Sequence, residues 1–235
     1  IAVYPIIYNK KTKQYDRIYF KQVIEKYGYP IVSKEQASFL REFRHTKSNT
    51  LKEIRFNGNS YNQGKISKKW RFLINAPFEI SEKCCLIMKK RPSELYEKNS
   101  GRKAFIGTMA EESSLRKSNW FRYGCNAFNA KRNTSRPLSF WNEEDIINYI
   151  RNNNLDFSKI YGDIITDLNN KPVFTGEPRT GCMFCMFGCH LEKEPNKFQR
   201  MKITHPKQYE YCMRDVEDGG LGLAKVLDYI GVNYK

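Results

Sequence analysis

The sequence predicts an α/β layer fold. Short apolar runs at 2–8 and 103–107 alternate with amphipathic helical spacing at 19–27 and 142–150, and glycine or proline marks the junctions. Residues 2–8, Ala-Val-Tyr-Pro-Ile-Ile-Tyr, read as a buried strand with proline near its start. Phe20, Val23, Ile24 and Tyr27 then recur at helical spacing, Gly28 supplies a stop, and Pro30 follows. Ser33 is the next N-cap, before Lys34-Glu35-Gln36 and a helix to about Phe43. The polar stretch 45–70 reads as a surface excursion with a turn at Asn57-Gly58.

Further along, 103–107 reads as a strand ending in a glycine turn, and 108–122 is polar and charged. Asn142 caps a helix whose first turn holds Glu143, Glu144 and Asp145, at the positive end of its dipole. Its apolar face is Ile146, Ile147, Tyr149 and Ile150. Loop-rich text runs from 155 to 178, helical text from 196 to 212, and a last helix from 223 to 230 after the Gly219-Gly220 break. No repeat, low-complexity segment or interdomain linker interrupts this pattern.

At 235 residues, with 40% hydrophobic, 28% charged and 14% aromatic residues, the chain can bury a core of its own. No apolar run approaches the roughly 20 residues of a membrane span, and no secretory signal is visible, which points to the cytoplasm. The first residue is Ile1, not Met, so further residues are expected upstream. The net charge of +16 reflects either a lysine-rich composition or a polyanionic partner, a nucleic acid or a polyphosphorylated nucleotide.

Seven cysteines, an odd number without a secretory signal, point to metal binding or catalysis rather than a disulfide framework. In Cys182-Met-Phe-Cys185-Met-Phe-Gly-Cys189 a tight turn lets two sulfurs face one metal, and Gly181 and Gly188 relieve crowding. A zinc site or a [4Fe–4S] cluster usually takes four ligands, so Cys84–Cys85 is the natural second donor. The bland reading of that pair is two small buried hydrophobes. Zinc is the rival metal, since His190 allows a mixed site, while Met183, Phe184, Met186 and Phe187 form an apolar wall suited to a cluster. Spacing assigns no role to His45, His190 or His205. Cys125 reads as a buried structural thiol or, alternatively, a sulfur relay.

These residues resemble the phosphoadenylyl- and adenylyl-sulfate (PAPS/APS) reductases and the related ATP pyrophosphatases of the adenine-nucleotide α-hydrolase fold. Cys84-Cys85-Leu-Ile-Met-Lys89-Lys-Arg-Pro92 is similar to their cluster motif Cys-Cys-x3-Lys-x2-Pro, and Thr180-Gly181-Cys182-x-x-Cys185 to the second cluster motif. Gly107-Thr-Met-Ala-Glu111-Glu-Ser113-Ser-Leu-Arg116 resembles Gly-x3-Glu-x-Ser-x2-Arg. Pro137-Leu138-Ser-Phe-Trp141, followed by Asn-Glu-Glu-Asp145 and Tyr149-Ile150, resembles Pro-Leu-x2-Trp before an acidic helix start. Tyr29-Pro30 and Ser33-Lys34-Glu35 fit the stretch after the family's second strand. The likeness covers most of 20–190, and its nearest look is to phage and gut-bacterial proteins of the PAPS reductase family.

The resemblance implies a Rossmann-like nucleotide-binding domain over 1–176, N-terminally incomplete, with a cysteine-motif and helical segment over 177–235 packed on it. It implies metal ligands among Cys84, Cys85, Cys182, Cys185 and Cys189, and nucleotide contacts from Gly107, Glu111, Ser113 and Arg116, with Lys89 near the cluster. Lys117 and Arg122 are weaker phosphate candidates. Two departures stand out. The family's Ser-Gly-Gly-Lys-Asp-Ser pyrophosphate loop is absent from this sequence, and so is the reductases' C-terminal nucleophilic cysteine.

Three functions follow. The first is ATP activation with sulfur transfer to DNA, tRNA or a nucleotide, with ATP as substrate and a [4Fe–4S] cluster as cofactor. The second is a thioredoxin-dependent reductase of a sulfonucleotide. The third is a non-catalytic, metal-stapled nucleic-acid-binding module, in which Trp70-Arg71-Phe72 and Trp120-Phe121-Arg122 stack bases rather than anchor a core.

Overall fold

The computed structural model describes residues 4–130, 132–177 and 181–235. In chain order, β1 (Ile6–Asn9) and β2 (Gln14–Arg17) form a hairpin, followed by α1 (Phe20–Tyr27), β3 (Ile31–Val32), α2 (Lys34–His45) and α3 (Asn49–Asn57). A 3-10 segment, Lys68–Asn75, precedes α4 (Lys83–Cys85), a π turn (Leu86–Lys90) and α5 (Arg91–Ser100). Next come β4 (Ala104–Phe105), α6 (Ser114–Tyr123), β5 (Thr134–Ser135), α7 (Glu143–Asn152), β6 (Ile164–Thr166) and β7 (Pro172–Phe174). The chain closes with β8 (Met186–Phe187), α8 (Lys197–Thr204), α9 (Pro206–Met213) and α10 (Leu223–Tyr229). The predicted α/β class is correct, with short parallel pairings among helices.

Two compact units form, Ile1–Glu94 with Met183–Lys235, and Leu95–Cys182. In the first, β3 is the central segment. It pairs in parallel with β8 (Ile31 with Met186, Val32 with Phe187), and Tyr29 bridges Ile80 in parallel. Ile31, Ile80 and Met186 are fully buried, as are Leu40, Leu73, Phe198 and Leu227 from the surrounding helical segments. The run around 29–32 is therefore apolar without alternation, as parallel strands covered on both faces require. In the second unit, β4 pairs in parallel with β5, and β6 with β7 as a hairpin. No helix among the described residues is long and apolar enough to cross a membrane.

Several elements differ from expectation. Of the strand foreseen at 2–8, Ala2 and Val3 lie outside the described residues. The strand starts at Ile6 and is not buried, because it has a single partner, β2, whose four residues are all exposed. The polar excursion at 45–70 contains α3, capped by Ser48 Oγ accepting from Leu51 N at 3.2 Å. Arg55 ties it to α2 through Glu42, with Nε donating to Oε2 at 2.7 Å. The charged stretch 108–122 forms α6, capped by Ser113. The expected loop at 155–178 holds the β6–β7 hairpin, whose turn is closed by Asp167 Oδ1 accepting from Asn169 N and Lys171 N. The helix expected over 196–212 divides at Pro206, which lacks an N–H and opens α9 at its first position.

Candidate functional site

The first unit positions four thiols through strand ends. Gly28 has φ +99°, and a Cβ there would come within 2.3 Å of the Glu79 carbonyl carbon, so only glycine lets the two backbones approach. That approach permits Tyr29 N to donate to Glu79 O at 2.8 Å and Ser81 N to donate to Tyr29 O at 3.1 Å. Ser81 Oγ then accepts from Lys83 N at 3.1 Å and starts α4, placing Cys84 and Cys85 just past the carboxyl end of this edge. On the opposite edge Gly188 N donates to Val32 O at 2.9 Å, and left-handed Gly188 (φ +80°) turns the chain into Cys189. Gly181 has no such backbone, so of the two glycines only Gly188 is required by its conformation. Open α/β sheets present ligands at the carboxyl ends of their strands, and here those ends carry Ser33–Lys34, Cys84–Cys85 and Cys189.

Val32, at the exit of the central strand, has φ +62°. A β-branched residue in the left-handed region is a strained conformation of the kind that clusters at functional sites. The helical run past Cys85 passes through the π turn that carries Lys89 and Lys90, another feature common at such sites.

Helix α2 clamps the segment leading to Cys84. Arg41 forks onto Glu82, with Nε to Oε2 at 3.0 Å and Nη2 to Oε1 at 2.9 Å. Arg44 Nη1 donates to Phe78 O at 2.7 Å, and His45 Nε2 lies 2.8 Å from Glu79 Oε2. Burial, the largest single influence, pushes the Glu82 carboxyl up, but the Arg41 hydrogen bond, a backbone N–H and the charges of Arg41 and Lys83 together hold it below its ordinary range. Neither Arg41 nor Arg44 was singled out by sequence; their helical offsets of seven and ten from Lys34 were the only available sign.

The thiols influence one another. The Cys84 thiol donates to the Cys85 sulfur, and burial and the neighbouring Cys85 and Cys185 sulfurs further disfavour a Cys84 thiolate, pushing its pKa far up. Cys85 goes the other way, to about 6: the hydrogen bond from Cys84 outweighs burial, with help from Lys34, Lys89 and Lys90. Burial raises Cys189 to about 12 despite Lys197, with Glu192 and Cys185 adding to the rise. The Lys197 ammonium also donates to the Cys185 carbonyl. Lys34 and Lys197 therefore belong to this site although spacing did not mark either as a site residue.

Cys84, Cys85, Cys185 and Cys189 thus lie in one unit, whereas Cys182 is the last residue of the other. A turn at Met183–Phe184 separates Cys182 from Cys185, as the Cys-x-x-Cys spacing foresaw. Thr180, part of the second resembling motif, lies outside the described residues. Among the described residues no group of three or more His, Cys, Asp or Glu side chains is placed to hold a metal ion. His190 packs edge-on against Trp70, with ring centroids 4.9 Å apart, and burial holds its imidazole below the usual range. Trp70 is accordingly a buried anchor and not a stacking platform, while Trp120 and Phe121 stack on each other at 5.4 Å. Cys212 is fully buried beside Met201, and Cys125 is half-buried with its carbonyl accepting from Arg136 N.

The second unit gathers the expected nucleotide residues. Ser113 Oγ accepts from Arg116 N at 3.3 Å, capping α6. Glu111 Oε1 accepts from Glu143 N at 2.6 Å, and Ala110 N donates to Ser139 O at 2.9 Å. The Gly107–Arg116 and Pro137–Asp145 motifs, distant in sequence, are therefore joined at the start of α7. Arg116 forms an ion pair with Glu112, which ends the 3-10 turn (Ala110–Glu112) just before α6. Gly107 is not left-handed, and a methyl there would meet Leu138 at an ordinary 3.8 Å, so its backbone does not demand glycine.

The family model for the phosphoadenosine phosphosulfate reductase domain matches residues 19–187, from the first residue before α1 through β8. No curated protein and no solved structure matches the chain. With well over half of its length matched, and with both joined motifs inside the match, the chain belongs to the phosphoadenosine phosphosulfate reductase family.

Proposed function

We propose that this chain is an iron–sulfur enzyme of that family that cleaves ATP to AMP and pyrophosphate to activate a substrate and transfers sulfur to a nucleic acid or nucleotide. The observation that carries the reading is the assembly of Cys84, Cys85, Cys185 and Cys189 in one unit, amid Lys34, Lys89, Lys90 and Lys197. An all-thiol donor set is soft and suits an iron–sulfur cluster or zinc, not the oxygen-seeking cations. Thiolates at the corners of a four-iron cluster stand farther apart than those around one ion, so this reading does not require the set to close around a single ion. When bound, the cluster supplies iron-held sulfide beside the substrate. The chain's own residues do the rest: lysines offset thiolate charge, and Arg41 and Arg44 fix the approach to Cys84. In the second unit, Gly107–Arg116 receives the nucleotide, with Arg116 exchanging Glu112 for a phosphate.

The alternative, thioredoxin-dependent reduction of a sulfonucleotide, needs a nucleophilic thiol free to reach its substrate. Cys212 is locked in the core, so it does not supply that thiol. The test is anaerobic purification with iron, sulfide and zinc analysis, then assays for AMP and pyrophosphate with DNA or tRNA present. Iron and sulfide that vanish in Cys185→Ser and Cys189→Ser but persist in Cys212→Ser are expected. Stoichiometric zinc without iron overturns the cluster, and sulfite release from a sulfonucleotide with thioredoxin overturns the sulfur-transfer assignment.

A further inference from the structure

The β1–β2 hairpin precedes the family-matched residues, and neither the thiol site nor the nucleotide motifs use it. Its composition is unusual. Tyr4, Tyr8, Tyr15 and Tyr19 are each 49–59% exposed, where an aromatic ring gains least from packing. Tyr8 and Tyr15 are direct cross-strand partners with ring centroids 5.3 Å apart. Arg17, two residues from Tyr15 and so on the same face, sets its guanidinium over Tyr4 at 4.1 Å and over Tyr19 at 5.0 Å. The connecting turn holds exposed Lys10, Lys11 and Lys13, shaped by Asn9 Oδ1 accepting from Lys11 N at 3.0 Å. The hairpin's one acid, Asp16, points to the other face, where it accepts from Asn9 Nδ2 at 2.7 Å.

This face is not remote from the thiols. β1 lies against the π turn Leu86–Lys90, which follows Cys85 directly and carries exposed Lys89 and Lys90. Rings flanked by cations, on an element anchored beside the thiol site, match a polyanion that also presents flat π faces. Single-stranded nucleic acid has both, and unpaired bases stack on aromatic side chains regardless of sequence. Resting on the nucleic-acid reading above, we propose that the tyrosine face of the β1–β2 hairpin binds single-stranded nucleic acid. Bases stack on Tyr8 and Tyr15, phosphates meet Lys10, Lys11 and Lys13, and the strand is led toward the π turn.

The test is fluorescence anisotropy on the full chain with labelled single-stranded DNA, single-stranded RNA and duplex DNA of mixed sequence, without ATP and across a salt series. Tyr8→Val with Tyr15→Val keeps strand preference while removing both rings, and should weaken single-strand binding about tenfold or more. Tyr8→Phe with Tyr15→Phe should restore it. Lys10→Ala with Lys11→Ala and Lys13→Ala should flatten the logarithmic salt slope by about 2. Lys52→Ala, on α3 of the same unit, is the control and should change neither. Wild-type affinity in the valine variant, equal loss in the phenylalanine variant, or tighter binding of duplex than of either single strand overturns the proposal. The outcomes separate from those of the enzymatic reading. Hairpin-dependent binding without ATP cleavage sinks only the latter, whereas nucleic-acid-stimulated cleavage unaffected by the hairpin variants sinks only the former.

Discussion

The two units are held together in different ways. In the first, parallel segments buried on both faces are packed by α2, α8 and α10, and nearly every buried apolar side chain belongs to it. Among the described residues the second unit buries only Ala110, Ala127 and Ile147 of that class, while Phe105, Leu115, Phe121, Phe128 and Leu168 are strongly exposed. Its order comes from local polar contacts: the Ser113 and Asn142 caps, the Glu111 bond to Glu143 N, the Arg132–Glu97 pair and the Asp167 turn. Burial free energy scales with area, whereas a cap or turn contributes about 1 kcal/mol. Substitutions of similar size should therefore have unequal effects in the two units.

The largest effect is expected at Ile31, fully buried between the two parallel partners of its strand. Ile31→Ala should lower unfolding free energy by about 3 kcal/mol, read from urea denaturation, through lost transfer energy and the cavity left behind. A loss below about 1 kcal/mol would mean that the central segment is not the core. Next comes Arg41→Ala, which removes the fork onto Glu82 and should cost about 1–2 kcal/mol after solvent screening of a pair whose side chains are each 25% exposed. Because the folded Glu82 carboxyl lies below its unfolded value, its contribution is present above the unfolded pKa and is lost as pH falls through the folded one. Thermal melts should show the wild type and Arg41→Ala converging in acid and diverging toward neutrality. Arg41→Lys should fall between them, since an ammonium cannot make the two-pronged contact.

The same contrast explains what the sequence disclosed. Helices α1, α2 and α7 were legible because their apolar spacing and caps are local signals, as with Ser33 and Asn142. The pairing of Tyr29 with Ile80 and of Ile31 with Met186 joins residues far apart in the chain, and periodicity carries no trace of it. Helix α3 was hidden because it buries no residue and is fastened by Arg55 and a serine cap, so its text reads as solvent-facing. The cysteines of the site could be picked out by type and spacing. The lysines around them could not, since Lys34 and Lys197 act across tertiary contacts and look like any surface lysine.

Smaller effects test the second unit. Asn142 Oδ1 accepts from Asp145 N at 2.9 Å while Asp145 Oδ2 accepts from Asn142 N at 2.9 Å, a reciprocal box at the start of α7. Asn142→Ala should cost about 1 kcal/mol, and in hydrogen exchange the loss of protection should centre on the first turn of α7. A loss spread evenly over both units would show that the caps are not what holds the second one.

Leu168 carries the comparison to its limit. It stands at the tip of the β6–β7 hairpin, fully exposed, in a turn that Asp167 closes by accepting from the Asn169 and Lys171 amides at 2.9 and 2.8 Å. If polar closure and not apolar burial shapes this turn, Leu168→Ser removes nothing that folding uses, and stability should stay within about 0.5 kcal/mol of wild type. Asp167→Ala at the neighbouring position should lose more, because it leaves two amides without their acceptor. The order of these two changes, measured in one denaturation series, decides the matter. A leucine that outweighs the aspartate would mean that the side chain is covered in solution and that the second unit relies on burial after all.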